Sequence, residues 1–272
     1  MMTADSLDDR RRHLERLLAG YGGLLVAYSG GVDSSYLLAA AKDVLGDRAT
    51  AATAVSPSLA AGELAEARAL AARLGARHVE VATDELERAA YRRNDADRCF
   101  HCKTALLDVL EPLAGELGGP PIALGTVTDD LGDHRPGQRA AAERGVVAPL
   151  VEAGLSKSDV RELSRRRGLA TWDKPAAACL ASRVVYGLSV TPLRLSRIEQ
   201  AEAWLRDRLG PRANLRVRDH GDVARVEVDS ELLPALTALA AELDAELRRL
   251  GWTYAAADLG GFRSGSLNAA LR

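Results

Sequence analysis

The stretch YSGGVDSS, residues 28–35, constrains the fold more than any other part of the chain. It stands between LLVAYS (24–29), an apolar run of strand length, and DSSYLLAAAKDVLG (33–46), a helical stripe closed by Gly46. Adjacent glycines at such a junction let the backbone approach an anion closely. The first turn of the helix adds unpaired N–H groups and the positive end of its dipole. Ser29, Ser34 and Ser35 supply hydroxyl donors, and Asp33 supplies a carboxylate for Mg²⁺. A Walker loop needs G-x-x-x-x-G-K-[ST] and a dinucleotide fingerprint needs G-x-G-x-x-G; neither fits these residues. The plain alternative is a tight turn leading into a capped helix.

The rhythm around this loop sets the fold class. ATAATAVS (49–56), RHVEVAT (77–83) and PIALGTV (121–127) are further strand-like runs, with helical spacing over 60–74 and across a long region, 84–117. TWDKPAAAC (171–179) is expected to supply the last strand of the same sheet. SKSDVRELSRRRGL (156–169) begins on a capping serine. Strands alternating with helices predict an α/β domain with a doubly wound parallel sheet over residues 1–187, binding its ligand beyond the carboxyl ends of the strands. After GLSVTP (187–192) the order becomes helix (193–209), two strands in LRVRDHGDVARVEV, helix (230–249) and a short strand (253–259). This predicts a smaller α+β C-terminal domain over 188–272.

Bulk properties narrow the function. The chain has 272 residues, 47% hydrophobic and 27% charged, so it can bury a core without disulfides. A formal net charge of -2 lacks the basic surplus of a nucleic-acid binder. No apolar run reaches membrane-spanning length, and the charged start MMTADSLDDRRRHLERLL has no export-signal core. The expectation is a cytoplasmic protein without nucleic-acid or membrane partners, in which thiols serve metals or catalysis.

There are three cysteines. Cys99 and Cys102 stand in RCFHCK; Cys179 is distant, in PAAACLASR. Three thiolates without a fourth suit a [4Fe–4S] cluster with one open iron. The alternatives are zinc, with His101 or His134 as fourth ligand, or a structural Cys179 beside an incidental CxxC.

SGGVDSS resembles the SGGxDS motif of the PP-loop ATP pyrophosphatases, a resemblance that implies transfer of AMP from ATP to an acceptor oxygen with release of pyrophosphate. RCFHCK, GTVTDDLGDHRPGQRAAAERGV, KPAAACLASRVVYG and DLGGFRSGSLN further resemble the LarE family of sulfur transferases. That resemblance runs from about residue 10 to the C-terminus. It implies conversion of pyridinium-3,5-biscarboxylic acid mononucleotide to the bisthiocarboxylic form, the precursor of the nickel-pincer cofactor of lactate racemase. It also implies ATP, Mg²⁺, a sulfide or other sulfur donor, and a homo-oligomer, expected as a hexamer. One version of the family sacrifices the sulfur of a single cysteine, at the position that Cys179 matches. The other has three cysteines and holds a [4Fe–4S] cluster; Cys99 and Cys102 place this chain with it. The rivals are a tRNA thiolase, an amide-forming PP-loop ligase, and a nucleotide-binding regulator without sulfur chemistry.

The remaining candidates carry plainer alternatives. Ser29, Gly30, Gly31, Asp33, Ser34, Ser56, Lys103, Gly125, Asp130 and Arg135 form the expected nucleotide set. Of these, Asp130 and Arg135 rest on the resemblance. Lys103 is otherwise a solvated helical lysine, and Gly125 an ordinary strand-end glycine. Ser182 and Arg183 are candidates for a substrate carboxylate or phosphate. Arg216 and Arg218, two apart in LRVRD, would point to one face of a strand and clamp a phosphate, against the alternative of an exposed strand face. Glu199, with Glu202 one helical step on, can pair with arginines in the substrate site or simply line a solvated face.

Overall fold

The computed structural model describes residues 6–132, 136–175, 178–211, 213–263 and 265–267. In chain order the elements are α1 (Leu7–Gly20), β1 (Leu24–Ala27), α2 (Val32–Leu45), β2 (Ala49–Val55), α3 (Ala61–Arg73), β3 (Arg77–Ala82), α4 (Ala89–Arg92), α5 (Arg98–Glu116), β4 (Ile122–Ala123), α6 (Pro136–Glu143), α7 (Pro149–Glu152), α8 (Lys157–Arg166), α9 (Pro192–Leu209), β5 (Leu215–Asp219), β6 (Val223–Val228), α10 (Leu233–Ala238), α11 (Ala240–Arg249) and β7 (Tyr254–Ala257). They divide into two compact units, Met1–Asp84 with Cys99–Ala177, and Glu85–Arg98 with Ala178–Arg272. The division falls ten residues before the expected 187/188 boundary, and a segment from the middle of the chain joins the C-terminal unit.

The first unit holds a four-stranded parallel sheet in the order β3-β2-β1-β4. Side chains alternate across β1. Leu24 and Val26 pack with Leu14 and Leu18 of α1, Leu37 and Leu38 of α2 and Val160 of α8. Leu25, between them, packs with Leu107 and Leu110 of α5 and Ile122 of β4. Both faces are therefore covered, as parallel sheets require. The strand order also puts the loop after β1 beside the end of β4. There the sheet reverses its winding direction, and its ligand crevice opens. Ser156 caps α8 through a capping box with Asp159, as the SKSD sequence predicts.

One expectation about this unit is corrected. The strand expected in TWDKPAAAC is absent where it is described. Residues 170–173 form a turn and 174–175 have no regular structure; Ala176 and Ala177 lie outside the described residues. Pro175 has no N–H to give to a sheet ladder, which disfavours a central strand here. The helical region 84–117, expected to carry the CxxC inside it or at a break, is broken: Asn94 takes a left-handed conformation (φ 60°), and α5 starts afresh at Arg98, with the CxxC in its first turn. Asparagine tolerates that conformation better than most residues.

The second unit has the sheet order β5-β6-β7, with β5 and β6 antiparallel and β7 parallel to β6. Leu195, Ile198, Ala201 and Leu205 form the buried stripe of α9. The helix expected over 230–249 is split at Leu239 into α10 and α11. Asn94 belongs to this unit and is fully buried. Its side-chain amide donates to the carbonyls of Val184 (3.2 Å), Val185 (2.8 Å) and Leu188 (3.0 Å), so it holds the loop that leads from Cys179 toward α9. Among the described residues no helix is long and apolar enough to cross a membrane.

Candidate functional site

The first group of candidates gathers at the β1–α2 loop. Gly30 has φ +72°, and a Cβ there would lie 2.9 Å from Ala67 Cβ, so both the turn and the packing exclude other residues. Gly31 is the N-cap of α2 and no side chain caps the helix, leaving its first N–H groups to a ligand. The Ser29 and Ser34 hydroxyls lie 3.1 Å apart; the Ser34 hydroxyl also accepts from the Ser29 N–H (3.3 Å) and donates to the Gly31 carbonyl (3.3 Å). Gly125, just beyond β4, is decided by geometry: a Cβ would sit 2.7 Å from Ser34 N and 2.9 Å from Ser34 Cα. It is more than a strand-end glycine, because only the missing side chain lets the β4 segment close against the loop. Ser56 follows β2, its hydroxyl accepting from the Ser58 N–H at 3.1 Å. Asp130 lies in a short 3-10 turn after β4 and accepts from the Val127 N–H at 3.0 Å. Arg135 and His134 lie outside the described residues.

Asp33 is the electrostatic centre of this group. Burial pushes its carboxyl up, and the nearby Asp130 adds to that, while Lys157 pulls against both. Its Oδ2 accepts from Lys157 Nζ at 2.5 Å; its Oδ1 is buried and has no partner. A buried carboxylate oxygen without a donor fits a hard cation such as Mg²⁺, which takes oxygen ligands and also neutralises phosphate. Sequence reasoning missed Lys157 and Lys174. Lys157 is the first residue of α8, and its backbone N–H donates to Asp129 Oδ2 at 2.7 Å. Lys174 is held by Glu63 (2.7 Å) and Glu66 (2.8 Å), with its Nζ 3.5 Å from the Gly30 carbonyl. Each lysine is remote from the glycine motif in sequence. The only available signal was its place at a helix start or next to Pro175.

In α5, Cys99 is exposed and Cys102 half-buried, three residues apart on one face of the first turn. Two thiols one helical turn apart suit two ligands of a metal or cluster. Burial pulls the Lys103 ammonium down, and the two thiols pull it back up. This is not the environment of a freely solvated helical lysine. Cys179 belongs to the second unit and is half-buried at the start of a 3-10 turn, Leu180–Arg183. Among the described residues no three His, Cys, Asp or Glu side chains gather as a metal site.

The second unit gathers the substrate candidates. Arg216 and Arg218 are 7% and 5% exposed, which rules out the exposed strand face. Arg218 donates from Nε (3.0 Å) and Nη2 (2.7 Å) to Glu227 Oε2, and from Nη1 to the Ser182 carbonyl (3.0 Å). Arg216 stacks over Phe262 at 5.1 Å, and its Nη1 donates to the Leu215 carbonyl at 2.6 Å. Burial, then repulsion from Arg183, drags the Arg216 guanidinium down to about 10; Glu202 opposes them, while Arg218 and Arg206 add to the repulsion. A group in such surroundings gains from an anion. Glu199 is half-buried, whereas Glu202 is fully buried on the face of α9 that carries Ile198 and Leu205. The solvated-face alternative therefore fails for Glu202. Arg183 is also buried and is bonded to Glu202, so its role is not that of a guanidinium waiting for substrate.

Comparison with known proteins agrees with this geometry. The asparagine synthase family matches residues 20–101, which contain the β1–α2 loop. An uncharacterised protein of Synechocystis is 42% identical over 267 residues, 97% of this chain and 99% of its own length. The pyridinium-3,5-bisthiocarboxylic acid mononucleotide synthase of Lactiplantibacillus plantarum is 35% identical over 247 residues, 90% of this chain and 89% of its own. An uncharacterised protein of Methanocaldococcus jannaschii is 27% identical over 140 residues, about half of each chain. With a glycine loop closed by Gly125, an aspartate at the loop whose Oδ1 is buried and unpartnered, and end-to-end similarity to such a synthase, the chain belongs to the LarE family of PP-loop ATP-using enzymes.

Proposed function

We propose that this chain is an ATP-dependent sulfur transferase. It adenylates the carboxylates of pyridinium-3,5-biscarboxylic acid mononucleotide and replaces AMP by sulfur, giving the bisthiocarboxylic mononucleotide. The observation that carries the reading is the intact β1–α2 loop, with Asp33 Oδ1 buried and unpartnered, in a chain 35% identical over 90% of its length to a protein that bears the name of that synthase.

The α2 N–H groups and the Ser29 and Ser34 hydroxyls bind the pyrophosphate portion of ATP. Asp33 and Asp130 hold Mg²⁺, and Lys157 and Lys174 lie beside the loop as further cations for phosphate. A substrate carboxylate oxygen then attacks the α-phosphorus; the bond to the bridging oxygen breaks and pyrophosphate leaves. Sulfide sulfur next attacks the acyl carbon, AMP departs with the former carboxylate oxygen, and a thiocarboxylate remains. Arg216, on the buried face it shares with Arg218, binds the substrate phosphate. Cys99, Cys102 and Cys179 would hold a [4Fe–4S] cluster, which would supply a site for the donor sulfur. The working protein is a cytoplasmic homo-oligomer. Residues 1–187 act on ATP, and 188–272 contribute to substrate binding and assembly.

The test is pyrophosphate release from protein purified without oxygen. Release should require Mg²⁺ and the pyridinium dicarboxylate together, and iron and sulfide should accompany the protein. ATP binding without substrate-dependent pyrophosphate release would point to a regulator, and binding of tRNA to a thiolase. Intact mass after one cycle distinguishes the sulfur routes: loss of one H₂S, about 34 Da, at residue 179 marks a sacrificed cysteine, whereas oxidation would add mass.

A further inference from the structure

We infer that Arg183 and Glu202 are a positioning pair that fixes the backbone of Cys179 in register with the arginine-bearing strand β5. The inference rests on the reading above only in giving Cys179 a part in sulfur delivery.

Arg183 is 3% exposed, and all three of its guanidinium nitrogens are bonded. Nε and Nη2 donate to Glu202 Oε1 (2.9 Å) and Oε2 (3.1 Å), the two-pronged arrangement that a planar guanidinium makes with a carboxylate. Nη1 turns the other way and donates to the carbonyl of Ala178 (2.5 Å), the carbonyl of Cys179 (3.1 Å) and the hydroxyl of Ser182 (3.1 Å). The Cys179 carbonyl also accepts from the Ser182 N–H at 2.9 Å. The main chain on both sides of the thiol-bearing carbon is thus held, while the side chain remains half-buried at the surface of the turn.

Glu202 carries the register onward. Its Oε1 accepts from the backbone N–H of Val217 (3.1 Å), the residue between Arg216 and Arg218, and its Oε2 accepts from Arg206 (2.9 Å). A single buried carboxylate therefore ties the Cys179 turn, helix α9 and strand β5. Burial alone would raise that carboxyl, yet Arg183, then Arg206 and Arg216, hold it below the usual range, so it stays charged. Lysine cannot substitute for Arg183. An ammonium is a point donor and cannot span the Glu202 fork and two main-chain carbonyls on its opposite side.

The experiment compares Arg183→Lys with wild type in three readouts: thermal melting, the rate at which iodoacetamide alkylates Cys179 relative to Cys99, and sulfur transferred per pyrophosphate released. We expect a folded variant in which sulfur per pyrophosphate falls about tenfold or more, since a displacement near 1 Å can cost that much or more. The Cys179 to Cys99 alkylation ratio should shift several-fold. A folded Arg183→Lys with both ratios at wild-type values overturns the inference. Should that variant not fold, Glu202→Gln is read by the same ratios, because it keeps volume and one acceptor. If neither folds, the pair is structural and the inference falls. Cys179→Ala separates this result from the wider reading. Undiminished sulfur transfer without the thiol overturns the reading and the inference together. A required Cys179 with unmoved ratios in the variants overturns the positioning role alone.

Discussion

The β1–α2 loop and the β5 face are both suited to anions, but they are built from opposite materials. The loop uses main chain: helix N–H groups, two small hydroxyls and glycines where any Cβ would collide with Ala67 or Ser34. The β5 face uses long side chains. Arg183, Arg216 and Arg218 are all buried, and each needs fixed partners; two buried glutamates, Glu202 and Glu227, hold Arg183 and Arg218. Main-chain donors are satisfied by water until a ligand comes and cost little to keep. Buried guanidiniums must be compensated within the protein itself. The loop should therefore lose function without losing stability when altered, and the β5 face should lose both.

The largest test of that contrast is Asp33→Ala. It should lower pyrophosphate release by about 10³-fold or more through loss of a metal and phosphate contact, with the melting temperature nearly unchanged. Asp33 pairs only with a part-exposed Lys157 and carries an unpartnered oxygen, so little folding energy depends on it. A variant that melts far earlier would break the contrast. Arg218→Ala should lose stability as well as function, costing about 3 kcal/mol of stability because the Glu227 carboxylate loses its best-placed partner, as denaturant titration would measure. Arg216 is the better probe of phosphate binding, since burial and repulsion from Arg183 disfavour its charged form and an anion would relieve both. Arg216→Ala should weaken substrate binding and spare ATP binding, both read by calorimetry.

Gly125→Ala sharpens the comparison at an intermediate scale. Its Cβ would press on the Ser34 backbone, so the segment must move away at a cost of about 2 kcal/mol, and ATP affinity should fall in step. Undiminished ATP affinity would show that β4 need not close on the loop. The smallest effect concerns His78, whose Nε2 lies 2.7 Å from the Thr53 hydroxyl, which itself donates to the carbonyl of Tyr28, next to the loop. Thr53's proton is thus committed, so its oxygen accepts from His78, and Nε2–H is the donor. Burial, the largest cause, lowers the His78 pKa; Glu80 opposes it. Its contribution to stability is complete above the unfolded value near 6.5. That contribution declines as the pH falls below 6.5 toward the folded value. His78→Gln should flatten this part of the stability curve, which melting at graded pH would reveal.

Much of the first unit was legible because its constraints are local. SGGVDSS specifies a turn that only glycine can make and a helix start that follows it, and the apolar runs at 24–29, 49–56 and 77–83 became β1, β2 and β3. The SKSD cap formed as its hydroxyl and carboxylate pattern requires. The TWDKPAAAC strand failed because apolar character alone does not overcome a proline in a sheet, and the spacing of Glu199 and Glu202 left open whether that face meets arginines or solvent, which burial of Glu202 against Arg183 decided.

By itself, the sequence determined the class of fold, the anion loop and the family to which the chain belongs, since each depends on residue types at fixed spacing. Only the tertiary structure decided which charged groups are buried and with whom. Lys157 reaches Asp33 across 124 residues, Arg218 finds Glu227 on the neighbouring strand, and Arg183 ties Cys179 to Glu202 and through it to Val217. The reason is physical: a buried charge is set by desolvation and by its partners' positions in space, and neither is encoded in the spacing of residues along the chain.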